Sequence, residues 1–403
     1  MAIKISNRVK LVKPSPTLTL SARAKEMKAA GIDVVNFGVG EPDFNTPEYI
    51  KRSAQAAIEN NFTRYTANAG IIELRQAICA KLQRDNGLSY EPKQVLVSPG
   101  AKASILNILI AVCDSQDQVL MPAPYWVSYP YQAMLANAEP VIVPTFEQDS
   151  YKLTAASLEQ AVAANPCAKA LLLNSPNNPT GAVYTRQELE AIAAICVDKD
   201  ILVVSDEIYE RLVYDGIKHV SIASLNEEIK ARTVVINGVS KAYAMTGWRL
   251  GYAAGPAHII AAAARVQEHA TSCVNSITQK ACVTALAEED DSIEKMRAEF
   301  EKRRDFLFAE LGNLPHVSCF KPQGAFYIMP NIDWYLNNNS QGITDGDQFC
   351  QVLLEKHHVA LVSGASFGIP SNVRFSYANS MENLQKGVTR FAQFLSELTP
   401  LTT

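Results

Sequence analysis

From about Gln94 to Gly255 the chain alternates short apolar runs with helix-length segments, and most of those runs end in a turn residue. That alternation argues for a mainly parallel sheet flanked by helices, because parallel neighbours need a crossover between them. The strand candidates are Val95–Val97 before Ser98-Pro99-Gly100, Gln118–Met121 before Pro122, and Lys169–Leu173 before Asn174-Ser175-Pro176. Ile201–Val204 before Ser205-Asp206 and Thr233–Ile236 before Asn237-Gly238 complete the set. In such folds ligands gather beyond the carboxyl ends of the strands, so those turns are where chemistry is expected.

A charged, helix-periodic stretch from Asp291 to Leu311 predicts a long helix joining two units. Beyond it, strand-like pieces at Ala325–Met329 and Val373–Tyr377 and helices near Asp345–Lys356 and Glu382–Leu395 read as a smaller α+β domain. The expected division is residues 1–45 as an N-terminal arm and part of the small domain, 46–290 as a large domain, and 291–403 as the small C-terminal domain. At 403 residues the chain has material for both.

The net charge of −4 argues against nucleic acid or an anionic membrane as a main partner. No run approaches the ~20 apolar residues of a membrane helix. Eight cysteines lie scattered with no C-x-x-C pair and no histidine-rich neighbourhood, which predicts buried free thiols and no metal site. The basic stretch before Glu26 lacks the apolar core of a secretory signal, and the cytoplasm is the expected location.

Four of the turns carry reactive side chains. Ser240-Lys241, followed by Gly247-Trp248-Arg249-Leu250-Gly251, puts a lysine and an arginine among small and apolar residues. A lysine so held loses proton affinity and can form a Schiff base with an aldehyde, although a solvated loop lysine is the ordinary alternative. Ser98-Pro99-Gly100-Ala101-Lys102 opens a helix, whose N–H groups suit a phosphate as well as an ordinary turn. Ser240 and Arg249 add a hydroxyl and a guanidinium to that anion site. Asp206 and Tyr209 lie three apart beyond a strand, fit either for a ring nitrogen and a ring hydroxyl or for a helix cap and the core. Asn174–Gly181 is a proline-stiffened loop that holds Asn178 or merely turns, and Trp126 offers a face to a planar ring or to the core.

Together these residues resemble the class I aminotransferases, pyridoxal 5′-phosphate enzymes of the aspartate aminotransferase fold. Gly238-Val239-Ser240-Lys241 with Gly247–Gly251 fits the family's lysine-attachment pattern. Asn178-Pro179-Thr180-Gly181, Asp206-Glu207-Ile208-Tyr209 and Arg374-Phe375-Ser376-Tyr377 follow in its order. The resemblance implies an α/β large domain on a mainly parallel seven-stranded sheet. It implies that Lys241 joins the cofactor, Asp206 pairs with the pyridine nitrogen, Asn178 and Tyr209 bond the ring hydroxyl, and Trp126 stacks on the ring. It assigns Gly100, Ala101, Lys102, Ser240 and Arg249 to the phosphate, and Arg374, with the Gly40 backbone, to the substrate's α-carboxylate. Tyr65 matches a tyrosine that reaches the neighbouring subunit's phosphate, which implies a homodimer with shared sites.

Lys13-Pro14-Ser15, Gly40-Glu41-Pro42-Asp43-Phe44 and Tyr125–Pro130 are similar to the bacterial aspartate aminotransferase subgroup, some of whose members accept prephenate or aromatic amino acids. The implied substrates are amino acids and 2-oxo acids, with L-aspartate as donor and 2-oxoglutarate as acceptor. No arginine is assigned to the substrate's side-chain carboxylate. Lys13 and Thr17, on an arm that either closes over the site or stays solvated, are the candidates. A carbon–sulfur β-lyase on the same fold is the rival activity, and a cofactor-sensing regulator is the rival from outside catalysis.

Overall fold

The computed structural model describes residues 3–14, 16–288 and 290–398; the side chains of Arg8, Pro16 and Leu18 are left aside. Seven strands form the large sheet: β1 Val95–Ser98, β2 Gln118–Ala123, β3 Glu139–Pro144, β4 Ala168–Asn174, β5 Leu202–Asp206, β6 Thr233–Gly238 and β7 Gly251–Ala254. Their order is β1-β7-β6-β5-β4-β2-β3, parallel except that β7 runs against both β1 and β6. The five runs expected as strands are all present, each within a few residues of its expected ends. The two others escaped pattern reading for physical reasons. β3 carries Pro140 and Pro144 and lies half open at the sheet edge, where a missing N–H is tolerated. β7 is Gly-Tyr-Ala-Ala and has little of the β-branched character that marks a strand.

Helix α1 spans Pro16–Ala29, α2 Ile72–Asn86 and α3 Ala101–Val112. The helix expected from Asp291 is α4, Ser292–Gly312, and it buries Ile293, Met296, Phe300, Arg304, Leu307 and Leu311 at spacings of three and four. Arg304 is wholly buried. Its guanidinium donates to Asp215 at 2.8 and 2.9 Å and to the Pro322 carbonyl at 2.8 Å, and lies 4.9 Å from the Tyr214 ring centre. α4 is thus tied to the segment that follows β5.

The second sheet is small: β8 Tyr327–Ile328, β9 Val362–Ser363 and β10 Val373–Ser376, in the order β9-β10-β8 and antiparallel. Val35–Asn36 pairs in parallel with Val359–Ala360, so the residues before Asn45 do meet the C-terminal part of the chain. Helix α5, Met381–Leu398, closes the same core through Phe391, Phe394 and Leu395. That core also takes in Ile208, Tyr209, Leu212 and Tyr214. The turn after β5 therefore belongs by chain to the large sheet and by packing to the smaller unit.

All eight cysteines are free, but Cys167 is exposed and half-buried positions hold Cys79, Cys273 and Cys319, which corrects the expectation of uniformly buried thiols. Among the described residues no helix is long and apolar enough to cross a membrane.

Gly387 sits mid-helix in α5, where alanine would ordinarily be favoured by about 1 kcal/mol. Here a Cβ would lie 2.2 Å from the Phe37 ring. Gly387→Ala is expected to destabilise the fold by about 1–3 kcal/mol, read as a lower denaturation midpoint. A raised midpoint would mean that helix propensity outweighs the ring contact.

Candidate active site

The cleft that collects the predicted residues has a volume of about 460 Å³ and lies where β4, β5 and β6 end, between the large sheet and the smaller unit. The turn after β6 brings Ser240 and Lys241 to it, α3 brings Ala101 and Lys102, and β10 brings Arg374.

Lys241 donates from Nζ to the Gly40 carbonyl at 2.6 Å and lies 5.8 and 5.7 Å from the ring centres of Tyr209 and Phe326. Burial of the amine, aided by Arg374 and Arg249 and opposed by Glu41, takes its pKa down to about 8. A good part of it is therefore neutral, and nucleophilic, close to physiological pH.

Asp206 ends β5 and is 4% exposed. Burial pushes its carboxyl up to about 6, while the Tyr129 hydroxyl, donating at 2.7 Å, and the Ile208 N–H, at 3.2 Å, favour the ionised form. A cationic partner inside the cleft would complete that ionisation. Tyr209 meets Tyr327 hydroxyl to hydroxyl at 2.9 Å, and burial holds both phenols above their ordinary range.

At the anion end, α3 opens with Ala101 and Lys102, whose N–H groups have no acceptor within the helix. Gly100 precedes them at φ +89°, and a Cβ there would come within 2.6 Å of the Arg249 guanidinium. Arg249, itself at φ +56°, donates to the Thr246 carbonyl at 3.0 Å and leans over Pro99. Ser240 is buried beside it. Helix start, hydroxyl and guanidinium together suit a phosphate dianion.

At the other end Arg374, 2% exposed, donates to the Asn178 side-chain oxygen at 3.0 Å and to the Gly38 carbonyl at 2.9 Å. Its guanidinium lies 4.4 Å from the Tyr327 ring centre and 4.9 Å from that of Phe367. Nε is buried without an acceptor among the described residues. A carboxylate accepting from this group would satisfy it.

Of the residues singled out in the sequence, Thr17, Gly40, Ala101, Lys102, Trp126, Asn178, Asp206, Tyr209, Ser240, Lys241, Arg249 and Arg374 all line this one cleft. Gly100 stands just behind the lining. Lys13 is exposed ahead of α1 and does not line the cleft; Thr17, on the first turn of α1, does. Tyr65 is 92% exposed and also stands apart from it.

Sequence reading missed Tyr129, Tyr327, Asn174 and Lys25. Tyr129 lies in the quoted Tyr125–Pro130 stretch, but nothing in the chain order marks its hydroxyl as the partner of Asp206. Tyr327 sits in a strand-like run and reads as core. Asn174 accepts from the Asn178 N–H at 2.8 Å and donates to the Asp206 carbonyl at 2.9 Å, holding two of the turns in register.

Residues 32–391 match the family model described as aminotransferase class I and II. The chain is 46% identical to an aspartate aminotransferase of Geobacillus stearothermophilus over 98% of this chain and 99% of that one. It is 42% identical to an aspartate/prephenate aminotransferase of Nitrosomonas europaea over 98% and 100%. The crystal structure of the aspartate aminotransferase from Rhizobium meliloti superposes with a TM-score of 0.94 at 39% identity, covering 99% of this chain and all of that one. With the nucleophilic lysine, the buried carboxylate and the guanidinium placed in that shared fold, the chain belongs to the class I and II aminotransferases.

Proposed function

We propose that this chain moves the amino group of L-aspartate to 2-oxoglutarate with pyridoxal 5′-phosphate as cofactor. The observation that carries the proposal is the convergence of Lys241, Asp206 and Arg374 on one cleft, with an anion site at the start of α3. The donor set fits the cofactor end by end. Ala101, Lys102, Ser240 and Arg249 would hold the phosphate, Asp206 the ring nitrogen, Tyr209 and Asn178 the ring hydroxyl, Trp126 the ring face and Lys241 the aldehyde carbon.

Pyridoxal phosphate, when bound, supplies an aldehyde that condenses with amines and a protonated ring that accepts electrons from the substrate's α-carbon. The protein's part is to hold, orient and move protons. Arg374 takes the substrate's α-carboxylate through its guanidinium, which turns the α-hydrogen towards Lys241. Lys241 would serve as the general base that takes the proton from the substrate's α-carbon and the acid that gives it back. Asp206, whose ionised form the Tyr129 hydroxyl and the Ile208 N–H favour against burial, would pair with a protonated ring nitrogen. The same residues would serve the second half-reaction, with the oxo acid as acceptor.

The named relatives support aspartate, and the aspartate/prephenate relative makes prephenate a second acceptor to assay. Lys25 and Thr17, both on the cleft wall, are the groups we propose for a distal carboxylate. We also propose the division into residues 1–45, 46–290 and 291–403, with the small unit moving against the large one, and a homodimer in which the exposed Tyr65 reaches the partner's phosphate. A surface cavity of about 770 Å³ beside Arg249, lined by Phe44, Trp248, Cys273 and Asn275, is where a partner would seat. The uncrosslinked cysteines suit a cytoplasmic setting.

Borohydride reduction of the loaded protein is expected to fix one cofactor on the peptide containing Lys241, and Lys241→Ala to abolish both the label and transamination. Label on another lysine would sink the assignment, and pyruvate and ammonia formed without an oxo acid would make the activity a β-lyase. Because burial disfavours the ammonium form, capture of pyridoxal phosphate by the apoprotein should rise with pH through a midpoint near 8 and level off above it. A midpoint near 10.5, the ordinary lysine value, would show that the amine is solvated. Arg374→Ala should lower kcat/KM for aspartate by ~30-fold or more, the ~2 kcal/mol or above expected for a buried charge-assisted contact.

A further inference from the structure

In the segment Ser205–Glu210 the side chains divide between two environments. Asp206 and Tyr209 line the cleft, whereas Glu207 and Glu210 enter a buried polar cluster away from it. Glu207 accepts from Ser205 Oγ at 2.8 Å and Ser221 Oγ at 2.7 Å and meets His219 Nε2 at 3.0 Å. Glu210 is paired with the ammonium of Lys81, itself 3% exposed on α2, and accepts from Asn86 Nδ2 at 2.9 Å. The carboxylates of Glu207 and Glu210 and the His219 ring lie within 4.8 Å of one another, but the cation this acid pair requires is supplied by Lys81. Burial opposes the charge on Glu210, yet Lys81, His219 and Asn86 together outweigh it and take the carboxyl down to about 2.

One further bond gives the cluster its consequence. Asn237, in β6 and 3% exposed, donates from Nδ2 to Glu210 Oε1 at 2.8 Å, while its own Oδ1 accepts from the Gly238 N–H at 2.7 Å. Glu210 is the fourth residue after Asp206, and Asn237 the fourth before Lys241. The turn that carries Asp206 and Tyr209 is therefore tied, by a charge-assisted hydrogen bond, to the strand end that leads into Ser240 and Lys241.

We infer that Glu210, anchored by Lys81, is a positioning residue: through Asn237 it fixes the ring-holding pair Asp206 and Tyr209 relative to the amine of Lys241. The inference rests on the reading of the cleft as a pyridoxal phosphate site. Two groups that hold one planar molecule from different strands must keep their separation to within a fraction of an ångström, and a misplacement of about 1 Å can cost on the order of 100-fold in rate. α2 does not line the cleft, so Lys81 reaches it indirectly, through its pair with Glu210.

Asn237→Ala severs the tie and leaves the Lys81–Glu210 pair intact. With the variant loaded with pyridoxal phosphate well below its denaturation midpoint, the visible circular dichroism of the bound cofactor should change in sign or fall at least ~2-fold. In the same sample kcat should fall about 10-fold, and KM for aspartate should stay within about 2-fold because Arg374 is untouched. If Asn237→Ala does not fold, Asn237→Leu, of similar volume and without the donor, carries the same expectation. A folded variant with wild-type dichroism and kcat would overturn the inference even if its denaturation midpoint is lower, since the tie would then serve stability alone. If the wild-type protein takes up no pyridoxal phosphate on Lys241, the cofactor reading fails and this inference falls with it; label on Lys241 with unchanged variant dichroism overturns the inference alone.

Discussion

Gly238 and Gly251 face each other where β6 ends and β7 begins, and the site is built on how closely the backbone approaches there. A Cβ on Gly251 would lie 2.2 Å from the Ala101 nitrogen and 2.5 Å from the Gly100 carbonyl carbon; one on Gly238 would lie 2.9 Å from the Gly251 Cα. No side chain fits in that gap. The lack of one lets β7 slot between β1 and β6, against the direction of both, and sets the start of α3 directly beside the turn bearing Ser240, Lys241 and Arg249. Helix-start N–H groups, hydroxyl, guanidinium and amine are gathered at one point by backbone contact and not by any long side chain reaching across.

The same cleft concentrates charge that burial disfavours. Lys241 is pulled towards the neutral amine, Asp206 towards the neutral acid, and Arg374 is held below its ordinary affinity for protons. Each shift has burial as its largest cause, and groups shifted in this way gather where charged ligands are bound. In the polar cluster alongside, Glu210 stays charged despite its burial because Lys81, His219 and Asn86 favour its carboxylate.

Much of the fold was legible because the apolar runs of a buried parallel sheet are nearly continuous and end abruptly in turn residues. Edge strand β3, with its prolines, and the small-residue strand β7 were not, since neither carries that signature. Most site residues were legible for a related reason: Lys241, Asn178 and Arg249 lie in turns and Asp206 at a strand end, where a reactive side chain stands out from its neighbours. Tyr129 and Tyr327 did not stand out. In sequence each is one more large aromatic, and only the partner at the other end of its hydroxyl separates it from the core.

By itself the sequence determined the alternation that demands a parallel sheet, the strand ends and turns that carry a lysine, an acid and an arginine, and the family to which that set belongs. Local composition suffices for these because strand ends and turns are short-range features. The tertiary structure alone decided which hydroxyl faces Asp206, that Thr17 but not Lys13 borders the cleft in this chain, and that Asn237 and Glu210 join two turns. Such pairings link residues from 27 to 77 positions apart, and no local pattern constrains them. They follow from the sheet order, in which β6 lies beside β5 and the ends of both open onto one cleft.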